Sequence, residues 1–363
     1  MLLGKFSARH GLSELAGFGA DHHRPTLDAI ESLDVYRKPD STGYDGQYYL
    51  QIALDPSLSD PQLVEAIDHP SYRARRIALP ALSYALGLGK PALILQVHSA
   101  LNIACLGLFA WLLLRWIPVG SLESFGRWFF CVFSMGALES VRYSLADLPS
   151  LLLGLIVIAA LEDRRSLSPY LANTLAALTK ETALLNSAAF LAAKRNKSWP
   201  SRSTLLAFSV AFFAAAIPLG LWMAKVAAAF PLTLNAHDNI VLPFSGLYHG
   251  LVDAIRQLAA SETDEPDRYW FRIVALLGLS FQFAYLILKP RPQSRIWTLG
   301  MVYGLLFLCL GDAVWRGYWA GCRIALPMTV AFNLLLEEKR KGVFWIALCL
   351  SNLTSLHAIV RWL

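Results

Sequence analysis

The sequence predicts an all-α polytopic transmembrane bundle, and three observations point there. First, the chain is 56% hydrophobic and only 16% charged, with a mean hydropathy of +0.45, whereas a soluble domain carries about 25% charged residues. Second, runs such as 91–114 and 204–229 are long enough to cross a bilayer as helices. Third, the basic residues stand in short clusters between such runs, which is how membrane topology is signalled. The net charge of +6 therefore points to membrane lipids and to no nucleic-acid partner. No fixed-period repeat, low-complexity tract or heptad is visible.

The elements follow in order. Residues 1–40 contain no span, and Met1–Leu3 before Lys5 is far too short for the apolar core of a signal peptide. Residues 1–90 read as an N-terminal external or interfacial segment and 91–363 as the helical bundle. Spans are expected at roughly 91–114, 126–144, 147–161, 204–229, 270–288, 296–311, 319–336 and 343–360. The apolar stretch 169–193 is interrupted by Lys180-Glu181, a pair that costs at least about 2.5 kcal/mol per residue at bilayer centre. It is either one helix whose charges face the bundle, or a hairpin with the pair at its tip.

Loop charge bears on that choice. The clusters at 194–202, at Lys289/Arg291/Arg295 and at Lys339/Arg340/Lys341 are two spans apart, which puts all three on the cytoplasmic side. The hairpin adds Arg164-Arg165 to that set and places the polar segment 30–80 outside. It is the preferred reading, and it predicts a first helix missing upstream of Met1, or a short span at Arg76–Leu88. The five cysteines lie in or beside apolar runs without CxxC spacing, so they form neither a disulfide frame nor a metal site.

Five groups of residues carry candidate chemistry. In Gly43-Tyr44-Asp45-Gly46-Gln47-Tyr48-Tyr49 the glycines permit a tight turn around a carboxylate ringed by tyrosines. That suits a general base for a sugar hydroxyl, and equally a capped turn before an interfacial helix that Asp55-Pro56 closes. In Tyr72-Arg73-Ala74-Arg75-Arg76 three arginines suit a lipid phosphate or plain snorkelling to headgroups. Arg142 through Asp147 to Pro149 forms a corner, where Asp147 is a second acid or simply a helix start. Lys180 would hold a phosphate, or Lys180 and Glu181 form a polar hairpin tip in water. Trp315-Arg316-Gly317-Tyr318-Trp319 with Arg323 marks a helix entry, and Arg323 stands inside its span. His237-Asp238-Asn239 lacks a second histidine at ligand spacing, so no metal site is assigned. The chain has no P-loop, dinucleotide fingerprint or HExxH.

The order GYDGQ, RARR, an Asp-Leu-Pro corner, Leu-Thr-Lys-Glu-Thr and a late Arg-x-x-x-Pro helix resembles the bacterial GT-C glycosyltransferases across most of 40–335. The resemblance implies a polytopic enzyme in the bacterial inner membrane, with a periplasmic site and a polyprenyl-phosphate sugar as donor. The acceptor would be an envelope or surface glycan or lipid. Asp45 would be the catalytic base, with Asp147 as second acid. Tyr44, Gln47, Tyr48, Arg73, Arg75, Arg76, Arg142, Lys180, Glu181, Arg316 and Arg323 would bind substrate. A divalent metal is possible and no other cofactor is implied. Departures are the absent first helix, the absent C-terminal soluble domain and the lack of a second acid beside Asp45. The alternative classes are a lipid-linked-glycan flippase or a non-catalytic scaffold.

Overall fold

The computed structural model describes residues 6–7, 9–118, 120–192, 201–230, 239–260 and 266–362. Among these the regular structure is helical, apart from isolated β-bridges. In chain order the helices used below are α1 (Gly46–Leu54), α2 (Ala78–Leu86), α3 (Pro91–Leu113), α4 (Leu122–Val132), α5 (Met135–Arg142), α6 (Asp147–Glu162), α7 (Ser168–Thr179) and α8 (Arg202–Ala229). They continue with α9 (Ser245–Ala259), α10 (Pro266–Leu288), α11 (Arg295–Leu308), α12 (Tyr318–Ile324), α13 (Leu326–Leu335), α14 (Lys341–Ser351) and α15 (Leu353–Trp362).

Three of them, α3, α8 and α10, are long and apolar enough to cross a membrane, and the pair α14–α15, bent by 51°, makes a fourth if counted as one broken span. The chain thus has the makings of an integral membrane protein. On α8 the side chains of Leu205, Leu206, Val210, Phe213, Ile217 and Leu221 are exposed, a flank that lipid rather than water would cover. Several expected spans are broken instead of continuous. The stretch 126–144 is divided between α4 and α5, 319–336 between α12 and α13, and 343–360 between α14 and α15. In 169–193 the α-helix stops at Thr179, and a 3-10 segment runs over Glu181–Leu191. The charged pair therefore sits where the α-helix gives way to the 3-10 segment.

The chain divides into two compact units. The first comprises Met1–Leu108, Ser140–Leu184 and Ala211–Thr233, and so joins the polar N-terminal segment to three later stretches of apolar helix. Its centre is α1. Tyr49 and Ile52 enter one apolar cluster with Leu63, Ile67, Ile77 and Phe230. Leu50 and Ala53 enter another with Phe18, Ile30 and Ile94. The three-residue spacing within each pair is one helical turn, so a short helix is gripped on two faces. Helices α6 and α7 pack together, and α7 is tied to α8 by Asn173 Nδ2, which donates to the Ala211 carbonyl at 3.0 Å. The Trp222 indole donates to the Ala74 carbonyl at 2.7 Å.

The second unit comprises Phe109–Glu139, Leu185–Val210 and Leu234–Leu363. Here α10 and α13 pack together and α11 packs on α13. The bend between α14 and α15 is held by side-chain amides: Asn352 Nδ2 donates to Asn333 Oδ1 at 2.9 Å and Gln282 Nε2 to the Ser351 carbonyl at 3.0 Å. A helix end buried among apolar residues needs such partners. Lys289, Arg291 and Lys339, from two of the three basic loops, all approach Glu337.

Candidate functional site

The site is built in the first unit from four separated stretches. Asp45 precedes α1, yet its carboxylate makes no side-chain cap. Two features hold it in place. Gly43 has φ of +83°, which an L side chain would resist. At Gly46 an added Cβ would come within 2.0 Å of the Tyr143 carbonyl and 2.7 Å of the Ala16 carbonyl, so the loop is pressed against backbone on two sides. Gln47, fully buried, donates from Nε2 to the Thr42 carbonyl at 3.2 Å and fastens the turn from inside.

The Asp45 carboxylate takes an ion pair from Arg73 Nη1 at 2.9 Å. Arg73 ends the one-turn helix Pro70–Arg73 and is itself gripped by Asp68, through Nε at 3.0 Å and Nη2 at 2.8 Å. One guanidinium thus serves two carboxylates. The rings of Tyr48, Tyr72 and Tyr49 stand around it, with centroids 5.3, 5.5 and 5.9 Å away, within cation–π range. Burial alone would lower the Arg73 pKa, and Asp45 and Asp68 outweigh it, so the group stays charged. Burial, reinforced by Asp68, pushes the Tyr48 phenol up to about 12. That hydroxyl is a hydrogen-bond group and not a titrating one at neutral pH.

Next to this lies a second fork. Arg76 meets Glu181 through Nε at 3.0 Å and Nη2 at 2.8 Å, and also donates to the hydroxyls of Tyr72, at 2.7 Å, and Tyr49. Burial would raise the Glu181 carboxyl, but Arg76 overrides it and holds the group down at about 2. Lys180 precedes Glu181 in an extended conformation (φ −155°, ψ 126°) that ends α7. Its ammonium lies 2.6 Å from Asp147 Oδ1.

Asp147 is the first residue of α6. The corner before it is locked by Ser140, whose Oγ accepts from the Leu148 amide at 2.9 Å and donates to the Leu145 carbonyl at 3.1 Å. Four carboxylates (Asp45, Asp68, Asp147, Glu181) and three cations (Arg73, Arg76, Lys180) therefore share one unit. The surplus is one negative charge.

The remaining expected residues lie as follows. Arg75 turns away, donating from Nε to the Ser71 carbonyl at 3.1 Å. Tyr44 stacks on Tyr143 at 4.2 Å between ring centroids. Arg142 lies 5.4 Å from the Tyr143 ring centroid and lines a cavity of about 250 Å³ together with Glu14, Lys38, Ser41 and Gly43. Arg316 and Arg323 belong to the second unit. There the Arg316 carbonyl accepts from Arg268 and Arg272, and Arg323 is buried. His237 and Asp238 fall outside the described residues. Among the described residues no group of three or more His, Cys, Asp or Glu is arranged to hold a metal ion.

Sequence reading missed Asp68, Glu14 and Lys38. For Asp68 a signal existed: an acid before His69-Pro70, where proline opens a turn that delivers Arg73 five residues on. No protein-family model matches the chain, and no curated protein matches it.

Proposed function

We propose that this chain is a membrane glycosyltransferase of GT-C type, which moves a sugar from a polyprenyl-phosphate donor to a glycan or lipid acceptor. One observation carries the reading. The acid expected to act as base, Asp45, spends its carboxylate on Arg73 and not on its own helix, and it shares a unit with a second acid and two further cations. In this reading the Asp45 carboxylate accepts the proton of the acceptor hydroxyl. The acceptor oxygen bonds to the anomeric carbon as the bond from that carbon to the phosphate oxygen breaks. The lipid phosphate departs as a stable anion that the cations screen, so no strong general acid is required. A single displacement inverts the anomeric centre.

In this reading the paired state of the site implies an order of events. Arg73 has Asp68 on two nitrogens and Asp45 on the third. An incoming phosphate competes with Asp45 for that third nitrogen and releases the carboxylate to act as base, while Asp68 keeps the guanidinium aimed. The site would face the periplasm, from the inner membrane of a bacterium.

The test is turnover and binding of a panel of polyprenyl-phosphate sugars by the detergent-purified chain, with Asp45→Asn alongside. Turnover abolished in the variant with donor binding retained is the expected result. Equal turnover in the variant would overturn the assignment of the base. Binding without turnover in the wild type would replace the enzyme by a flippase or scaffold.

A further inference from the structure

We infer that residues 240–259, which lie between the expected spans 204–229 and 270–288 and belong to neither, are embedded in the membrane as a half-span stacked on α11, with one flank against lipid acyl chains. The inference does not rest on the glycosyltransferase reading. Helix α11 has 14 residues, so it reaches about 21 Å and falls short of a hydrocarbon core of about 30 Å. Its neighbour α10 has 23 residues and is long and apolar enough to cross. On that side α11 covers only part of α10, and α9 covers the rest.

Along α10 the two short helices follow one another. A Cβ added at Gly304 would meet the Phe283 ring, and one at Gly300 would meet Leu286 at 3.0 Å. On α9, a Cβ at Gly250 would meet Leu276 at 3.7 Å, and Asp253 pairs with Arg272. Both helices therefore run antiparallel to α10, with α11 along its Leu288 half and α9 along its Pro266 half. Small residues permit such close approach between helices in a membrane. Since α11 starts beside the basic loop Lys289/Arg291/Arg295, α9 occupies the opposite leaflet.

The junction suits a place without water. Irregular backbone at membrane depth must find its hydrogen bonds within the protein. The Val241 amide donates to the Cys309 carbonyl at 2.9 Å, the Phe244 amide to the Leu308 carbonyl at 2.8 Å and the Gly311 amide to the Asn239 carbonyl at 2.9 Å. Two of these bonds engage carbonyls that the end of α11 leaves open. Phe244 holds φ at +70°, which a bulky residue keeps only where its surroundings impose it.

Around this fixed junction Ile240, Leu242, Phe244, Tyr248 and Ile255 are each more than half exposed, Leu242 at 80%. So large a cluster of apolar side chains marks a contact surface, and beside a membrane-spanning helix the partner is acyl chain. Polarity divides α9 accordingly. Tyr248, Val252 and Ile255 share one flank at helical spacing, while His249, Asp253 and Arg256 share another, rotated by about 100°. The polar flank has partners of its own, His249 Nδ1 lying 3.3 Å from the Asp312 carboxylate and Asp253 pairing with Arg272. In this arrangement it looks onto water.

Photo-crosslinking of the full chain in vesicles of dioleoylphosphatidylcholine tests this, with p-benzoylphenylalanine placed at Leu242, Tyr248 or His249 in turn and mass spectrometry of the products. Phospholipid adducts are expected from positions 242 and 248 and are expected to be lost at 249. Leu242 and Tyr248 are exposed, so a bulkier group fits at either, and each position serves should the variant at the other fail to fold. No phospholipid adduct from either, an equal yield at 249, or adducts to a second copy of the chain in place of lipid would each overturn the inference. The readout needs no turnover, so it stands if Asp45→Asn refutes the enzyme reading, and its own failure leaves the Asp45 result intact.

Discussion

Lys180 and Asp147 form the most secluded ion pair of the site, with side-chain exposures of 8% and 5%. Two desolvated charges stabilise little as a pair, but removing one partner strands the other at a cost of about 3–5 kcal/mol. Asp147→Leu alone should therefore strongly destabilise the protein in detergent unfolding, whereas Lys180→Met with Asp147→Leu should be close to neutral. If the double variant folds and still turns over donor, the pair serves architecture and not chemistry. Glu181 makes a different prediction. Its carboxyl is held at about 2 against an ordinary value of 4.5, so the stabilisation it contributes is fully present above about pH 4.5 and is lost as pH falls through 2. The stability gap between wild type and Glu181→Gln should stay constant from pH 7 to 5 and narrow progressively below that. A gap that widened on acidification would contradict the Arg76 pairing.

Helix α1 shows how one element can decide a site. At Gly46 two effects compete. Alanine is the better helix former by about 1 kcal/mol, yet its Cβ would meet the Tyr143 carbonyl at 2.0 Å. Backbone cannot swing aside as a flexible side chain does, so overpacking of about 1–3 kcal/mol should win. Gly46→Ala is expected to lower the unfolding midpoint, and an unchanged midpoint would mean the loop sits less tightly than described. The end of α1 at Asp55-Pro56 and the start of α6 at Asp147, two residues before Pro149, were legible in the sequence, because proline chemistry is local. So was the interruption at Lys180, because charge is costly wherever it is apolar all round.

The breaks within 126–144, 319–336 and 343–360 were hidden, since hydropathy averages over a window and a break of one or two residues barely changes it. Pro327, near the start of α13, marked one of them and was read only as part of a helix motif. The bond between Arg73 and Asp68 was a tertiary fact that no spacing rule dictates. The cavity walls at Glu14 and Lys38 lie in a segment where the sequence offers no periodicity to read.

At the scale of the whole molecule, the membrane is implied by three or four apolar helices and by large apolar side chains that stay exposed along α8. Orientation is testable. Glu65 is exposed in the polar segment of the first unit, so Glu65→Cys should react with a membrane-impermeant maleimide from the periplasmic side of intact cells. Labelling only after the inner membrane is opened would reverse the orientation and remove the periplasmic site. The pairing of Arg76 with Glu181, 105 residues further along the chain, has a consequence in time. A ribosome adds about 5–20 residues each second, so the arginine leaves the tunnel roughly 5–20 s before its carboxylate does. Helix α3, long and apolar enough to cross a membrane, is made while that arginine still waits for its partner. The charged network of the first unit therefore cannot close before residue 181 is made, and a nascent chain halted short of it would carry Arg76 without its carboxylate.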